Sequence, residues 1–442
     1  MPDRLTLPDS SPRLVLASGI LYIAHILCEG WIASSESFLA LSILTAIVAL
    51  VRREMKISVH LLFFPLFLFL AASSISALVS ARPWSAFFEI GEWFTLLSFP
   101  LGLSLYRAVP GLTRRAATAF AVLGTFMAAY GFFQYFILGY WRLGLEQRIT
   151  GPAAHVMTYS GILMPVTLIM MVLWIEQRRF LFLIPALLGS LALVLTFTRG
   201  VWIGWVAGFA VLLVLRKPAW MLFAVPLLVL AIALSPLTVF GRLVSMFDVR
   251  QSSNFDRIRM AQGGFEIIRD EPLWGVGPSN IKENYALYRA PDAPRFRIPH
   301  LHNNVIQLWA ERGILALSAY LLLMILFLRE CVRVPRADTQ RRAFADAGIA
   351  IAVSLAVAGL FEFNFGDTEV LLTMLDLFAL IIGAITLPAF VASAGSSPVA
   401  PATTGGRPEQ VGSVGFQAEW ISARSRLRPP QVAGTTGSPE SA

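Results

Sequence analysis

Apolar residues fill long unbroken stretches of this chain, and polar residues gather in the short gaps between them. Stretches of about 18 apolar residues are what a helix needs to cross a bilayer core. Twelve such spans are predicted, at about 14–31, 37–51, 60–80, 86–106, 116–138, 157–175, 180–198, 200–215, 219–236, 304–328, 346–362 and 369–391. The runs are continuous rather than alternating every second residue, which excludes a closed barrel. The predicted fold is an all-α polytopic membrane protein with a large helical loop between spans nine and ten. Its parts are spans one to nine in 1–236, the loop with a polar segment in 237–303, spans ten to twelve in 304–392, and a tail in 393–442. That tail is rich in Pro, Gly, Ser, Thr and Ala and reads as disordered.

Positive charge sets the orientation. With the N-terminus inside, every inside loop between spans carries at least two basic residues, such as Arg52, Arg53 and Lys56 or Arg178 and Arg179. The short outside loops hold only Arg82, Arg142, Arg148 and Arg199. Both termini are therefore expected in the cytoplasm and the long loop outside, which in a bacterium with an outer membrane means the periplasm. Trp31, Trp84, Trp141, Trp202, Trp220 and Trp309 lie near predicted span ends, where amphipathic rings favour the headgroup layer.

Within the loop, Ser253-Asn254-Phe255-Asp256 predicts a helix start with an acid three residues after the serine. Ile258, Ala261, Phe265 and Ile268 follow at helical spacing as one apolar stripe. Pro272 ends that helix, Trp274-Gly275-Val276-Gly277-Pro278 is turn material, and Ile281 to Tyr288 predicts a second short helix.

Composition narrows the class. The chain is 56% hydrophobic and only 14% charged, against roughly a quarter charged in soluble domains. The net charge of +8 then marks inside loops rather than a nucleic-acid partner. Cys28 and Cys331 fall at opposite ends of different spans and make no disulfide framework. Residues 1–12 are polar, and no small-residue cleavage site follows the first apolar run, so no cleavable signal is expected.

Candidate chemistry concentrates in His300-Leu301-His302-Asn303-Asn304, at the start of span ten. A helix N-terminus disfavours imidazolium, so His302 is expected to be neutral there, as a general base must be. The alternatives are a helix cap, or a metal site with His155 as a third ligand. No Asp, Glu or Cys sits close by in the local sequence, which argues against metal. Arg199 lies in an almost loopless outside reversal, and its planar fork suits phosphate oxygens. Arg257 and Arg259 open the loop helix two residues apart, so they point to different faces. Glu362 and Asp367 flank the last outside turn and could close the site or pair with an arginine. No phosphate-binding glycine loop is present, and Gly275-Val276-Gly277 is not a nucleotide motif. An activated donor would have to bring its own leaving group, as a polyprenyl-diphosphate glycan does.

Thr198-Arg199-Gly200, Arg257-Ile258-Arg259-Met260, Asp270-Glu271-Pro272-Leu273-Trp274-Gly275-Val276-Gly277 and His300-Leu301-His302-Asn303-Asn304, with Gln307 and Glu311-Arg312-Gly313, form an ordered set. The set resembles the O-antigen ligase and Wzy-type polymerase superfamily. That resemblance implies a GT-C-like membrane glycosyltransferase that is inverting and needs no metal or other cofactor. Its donor would be an undecaprenyl-diphosphate-linked glycan, and its acceptor a lipid A-core, a second glycan or, as in a protein O-oligosaccharyltransferase, a protein. Carried over by motif, His302 is catalytic and Arg199 and Arg257 hold the diphosphate; Arg259 competes with Arg257 for that role, and His300, Asn303 and Arg259 are the further candidates for support. A competing reading is a polytopic transporter for an anionic solute or lipid-linked sugar. It explains the outside arginines but not the ordered loop and its paired histidines.

Overall fold

The computed structural model describes residues 12–142, 148–216, 241, 244–245, 248 and 250–386, all within the unit Met1–Ser393. Among the described residues every regular element is helical. Lipid offers backbone groups no partner, so an apolar run can satisfy its own N–H and C=O groups only by coiling.

The first helices are α1 (Arg13–Leu27), α2 (Ile32–Val51) and α3 (Phe63–Val79), then short α4 (Pro83–Phe88), α5 (Glu92–Thr95) and α6 (Ser98–Ala108). Next come α7 (Leu112–Phe132), α8 (Val156–Gln177), α9 (Phe180–Leu195) and α10 (Arg199–Arg216). The loop contributes α11 (Ser252–Asp270) and α12 (Ile281–Tyr288), and the chain returns through α13 (Asn304–Val332), α14 (Thr339–Ala358) and α15 (Thr368–Thr386). Among the described residues, six helices are long and apolar enough to cross a membrane: α2, α7 with its extension to Ile137, α8, α10, α13 and α15. Three shorter apolar helices, α1, α3 and α9, accompany them. The predicted ninth span at 219–236 and the tail beyond 392 lie outside the described residues.

Two expectations are corrected. The fourth predicted span, 86–106, is not one helix: it breaks between Phe88 and Ser98 into α4, α5 and α6. Glu89 and Glu92 are costly in lipid, and Gly91 between them weakens a helix. The loop helix also turns a different face inward. Ile258 and Phe265 are exposed, and the buried positions are Asp256, Met260, Gly263, Gly264, Ile267 and Ile268. The two glycines decide this. A side chain at Gly263 would meet Tyr285, and one at Gly264 would meet Ile306 and Leu301. Their smoothness lets α11 seat on α12 and α13, around Met260, Ile267, Tyr285, Leu301 and Ile306.

Small residues set the close packing that bears on the site. Gly204 and Gly208 of α10 face the Ser354 and Ala350 carbonyls of α14, where an added Cβ would approach within 2.6 and 2.8 Å. This is the close approach that small residues at four-residue spacing allow in membranes. It places Arg199, first residue of α10, beside the turn that follows α14.

The bundle also holds a buried polar network. Asp376 on α15 accepts hydrogen bonds from Tyr22 (2.7 Å) and Ser98 (2.6 Å) and pairs with His25 of α1 at 2.8 Å. Ser35 meets the other ring nitrogen of His25 at 2.8 Å, and Thr373 donates to Glu29 at 2.5 Å. His25, Glu29 and Asp376 are each 0% exposed. Cys28 and Cys331 are both free.

Candidate active site

The loop is joined to α13 through a break in that helix. Gly313 sits inside α13 with φ 77° and ψ 177°, a conformation open essentially to glycine alone. The break exposes the Ala310 and Glu311 carbonyls, which accept from Val276 N–H (3.0 Å) and Gly277 N–H (2.8 Å), while Ile314 N–H donates to Pro272 (3.1 Å). The Trp274-Gly275-Val276-Gly277 stretch is thus a docking turn. Ser76 of α3 fastens it further by donating to the Trp274 carbonyl at 2.6 Å.

The histidine segment is held by its asparagines. Asn303 caps α13, accepting from Ile306 N–H at 3.0 Å, and donates to the Leu360 carbonyl at 3.0 Å. Asn304 bonds Asn364 at 2.5 Å and accepts from Phe365 N–H at 3.2 Å, while its own N–H donates to Gly359 at 2.7 Å. The cap therefore belongs to Asn303. His302 stands just before it in the left-handed region, φ 54°, which a non-glycine residue rarely adopts.

These bonds stitch residues 300–304 to the 359–365 turn, and that turn carries Glu362. Glu362 Oε1 lies 2.8 Å from His302 Nδ1 and 3.6 Å from His300 Nδ1, and Oε2 lies 3.6 Å from Arg257. Burial alone would raise the Glu362 carboxyl. The hydrogen bond and charge of His302, then His300 and Arg257, outweigh it and hold the carboxyl below its ordinary range. Burial, with His302 beside it, pushes His300 down to about 4. Arg257 is lowered chiefly by burial, which its carboxylate neighbours partly offset.

His302, Glu362, Arg199 and Arg257 line one cavity of about 230 Å³, and Arg148 and Arg295 complete its cationic wall. Arg199 is 7% exposed. It donates to the Ser245 carbonyl (2.8 Å), Ser253 (2.5 Å), Asn254 (2.7 Å) and Gln251. Arg199 therefore also ties down the start of α11. The expected serine cap and acid there are absent in that role, since α11 begins at Ser252 with no side-chain cap. Ser253 instead serves Arg199, and Asp256 pairs with Arg295 at 2.9 Å.

Other candidates fall elsewhere. Arg259 stacks on Phe255 at 4.8 Å and pairs with Asp292, and it does not line the cavity. Asp367 accepts from Thr158 at 2.5 Å and from Val370 N–H. His155 is exposed at the start of α8. The acidic partner that local sequence lacked is Glu362, and with His300 and His302 it forms a set that could hold a metal ion. The sequence alone does not join Glu362 to His302, because nothing local ties residue 362 to residue 302.

Residues 184–321 match the family model described as O-antigen ligase. No curated protein matches the chain. The matched segment contains Arg199, Arg257 and His302, and over that segment the chain is similar to the O-antigen ligase and Wzy-type polymerase superfamily.

Proposed function

We propose that this protein is a membrane glycosyltransferase of the ligase or polymerase type. It would move a glycan from undecaprenyl diphosphate to an acceptor hydroxyl, with inversion and without a metal. The observation that carries this reading is one cavity lined by His302 together with Arg199 and Arg257.

In that cavity the acceptor oxygen attacks the anomeric carbon as the bond to the diphosphate oxygen breaks. The hydroxyl proton passes to His302. Glu362 on Nδ1 fixes the ring so that Nε2 is the basic nitrogen, the role a carboxylate plays behind any general-base histidine. Arg199 and Arg257, with Arg148 and Arg295 beside them, stabilise the charge that gathers on the departing undecaprenyl diphosphate. The acceptor is a lipid A-core sugar in a ligase or a second lipid-linked glycan in a polymerase. The site would face the periplasm of the bacterial inner membrane with both termini cytoplasmic. Residues 237–303 would be the catalytic loop between spans 1–236 and 304–392.

The test is glycan transfer by purified protein in lipid with a polyprenyl-diphosphate-linked oligosaccharide and excess EDTA. Transfer should persist with the chelator and fall by roughly 10²–10⁴ in His302→Ala. Transfer abolished by EDTA would remove the metal-free mechanism. Solute uptake that His302→Ala leaves unchanged, with no glycan transfer by the wild type, would favour a transporter.

A further inference from the structure

A second cavity, of about 370 Å³, lies on the other side of the histidine pair. Adjacent residues divide between the two spaces. His302, Phe361 and Glu362 line the first, whereas His300 and Phe363 line the second. The wall between them is thin, since the two imidazole rings stand 4.2 Å apart, centre to centre.

The two cavities differ in charge. The first sets Arg148, Arg199, Arg257 and Arg295 against Asp256 and Glu362. In the second each cation stands beside a carboxylate, Lys282 with Glu89 at 3.6 Å and Arg312 with Glu311 at 3.5 Å. A balanced, polar space has no excess field for a phosphate. Its Ser279, Gln307 and Thr368 side chains and the Phe363 ring instead suit a ligand with many hydroxyls and one apolar face. Placement agrees with this assignment. In-line displacement needs the nucleophile to arrive from the side away from the leaving group. Two spaces meeting at one histidine wall supply those two approaches.

We propose that the second cavity is the acceptor site and takes the uncharged terminal sugar of the acceptor. Its attacking hydroxyl is guided past His300 to His302. This assignment rests on the transferase reading above. His300 serves as a positioning residue, since its ring lines the second cavity and stands 4.2 Å from the ring of His302, which lines the first. The Lys282–Glu89 pair joins α12 to the turn after α4 and forms the rim.

The experiment measures binding to the full chain in nanodiscs by saturation-transfer NMR, with inorganic pyrophosphate and a panel of neutral methyl hexopyranosides as probes. Lys282→Met and Thr368→Val should each weaken the best glycoside by about fivefold, the size of one hydrogen bond, and leave pyrophosphate unaffected. Arg257→Ala should do the reverse, and both probes should bind together. A panel in which no glycoside binds, glycosides displaced by pyrophosphate, glycoside binding untouched by both cavity variants, or equal loss of both probes in those variants would each overturn the acceptor assignment alone. Pyrophosphate that does not bind, or that binds Arg257→Ala as well as wild type, would instead undo the transferase reading itself.

Discussion

Replacing Gly313 with alanine should detach the loop from the membrane helices. An alanine Cβ there would lie 2.0 Å from the Leu273 carbonyl oxygen, 2.4 Å from its carbon and 2.7 Å from the Trp274 Cα. All three are backbone atoms, so no side chain can swing aside. The conformation itself costs about 1–3 kcal/mol for a residue with a Cβ. Relieving the overlap would also break the three bonds made by Val276, Gly277 and Ile314, at about 1 kcal/mol each. Together these come to roughly 4–6 kcal/mol, a large part of a typical folding margin of about 5–15 kcal/mol. The assay is limited proteolysis of 252–303 beside thermal unfolding in detergent. Gly313→Ala should expose the loop to cleavage and lower the Tm, with transfer activity lost in parallel. A variant with wild-type protection and Tm would refute the claim that the broken helix is what holds the loop.

Glu362→Gln should reduce kcat by about 10²–10⁴ with little change in donor KM, because it disturbs the ring orientation rather than the diphosphate contacts; steady-state kinetics with varied donor separates the two. Arg257→Ala should lower kcat/KM for the donor roughly 10–100-fold, the size of a lost charged hydrogen bond. Arg259→Ala, removing only a partly exposed pair with Asp292, should stay within about threefold of wild type in the same assay. His300 makes stability depend on pH. The unfolded chain protonates this imidazole near 6.5 and the folded chain resists until about 4, so stability is full above about 6.5 and falls as pH drops through that window. The loss is at most about 3 kcal/mol. Thermal unfolding followed from pH 7 to 4 should show it, and His300→Asn should flatten that acid limb.

Helix positions were legible wherever lipid dictates the answer. Apolar runs at 63–79, 156–177 and 368–386 have only one way to satisfy their backbones, and α12 was bounded by its neighbouring turns. Reading failed where the deciding atoms are missing from a hydropathy pattern. Gly263 and Gly264 set the buried face of α11 by being small, whereas the pattern of apolar side chains points to Ile258 and Phe265, which are exposed. The expected serine cap gave way because Arg199, more than fifty residues upstream, takes the Ser253 hydroxyl for itself. Histidine is scarce in this chain, with five residues, and Arg199 stands out as an arginine on the side where the short loops carry few. Glu362 could be named as an outside acid, but its partnership with His302 depends on two asparagines pulling distant turns together.

The buried His25–Asp376 pair bears on how this protein is made. Its members are separated by 351 residues, so at about 5–20 residues per second a ribosome needs roughly 20–70 s to deliver the aspartate after the histidine. For that interval the earliest helix sits in the bilayer with an imidazole and the Glu29 carboxyl lacking their eventual neighbours. An ionisable group in that state favours retention by the insertion machinery or transient shelter against other nascent helices. The first helix can thus reach its final surroundings only once α15 has emerged, and a chain truncated before α15 would leave His25 and Glu29 without those partners.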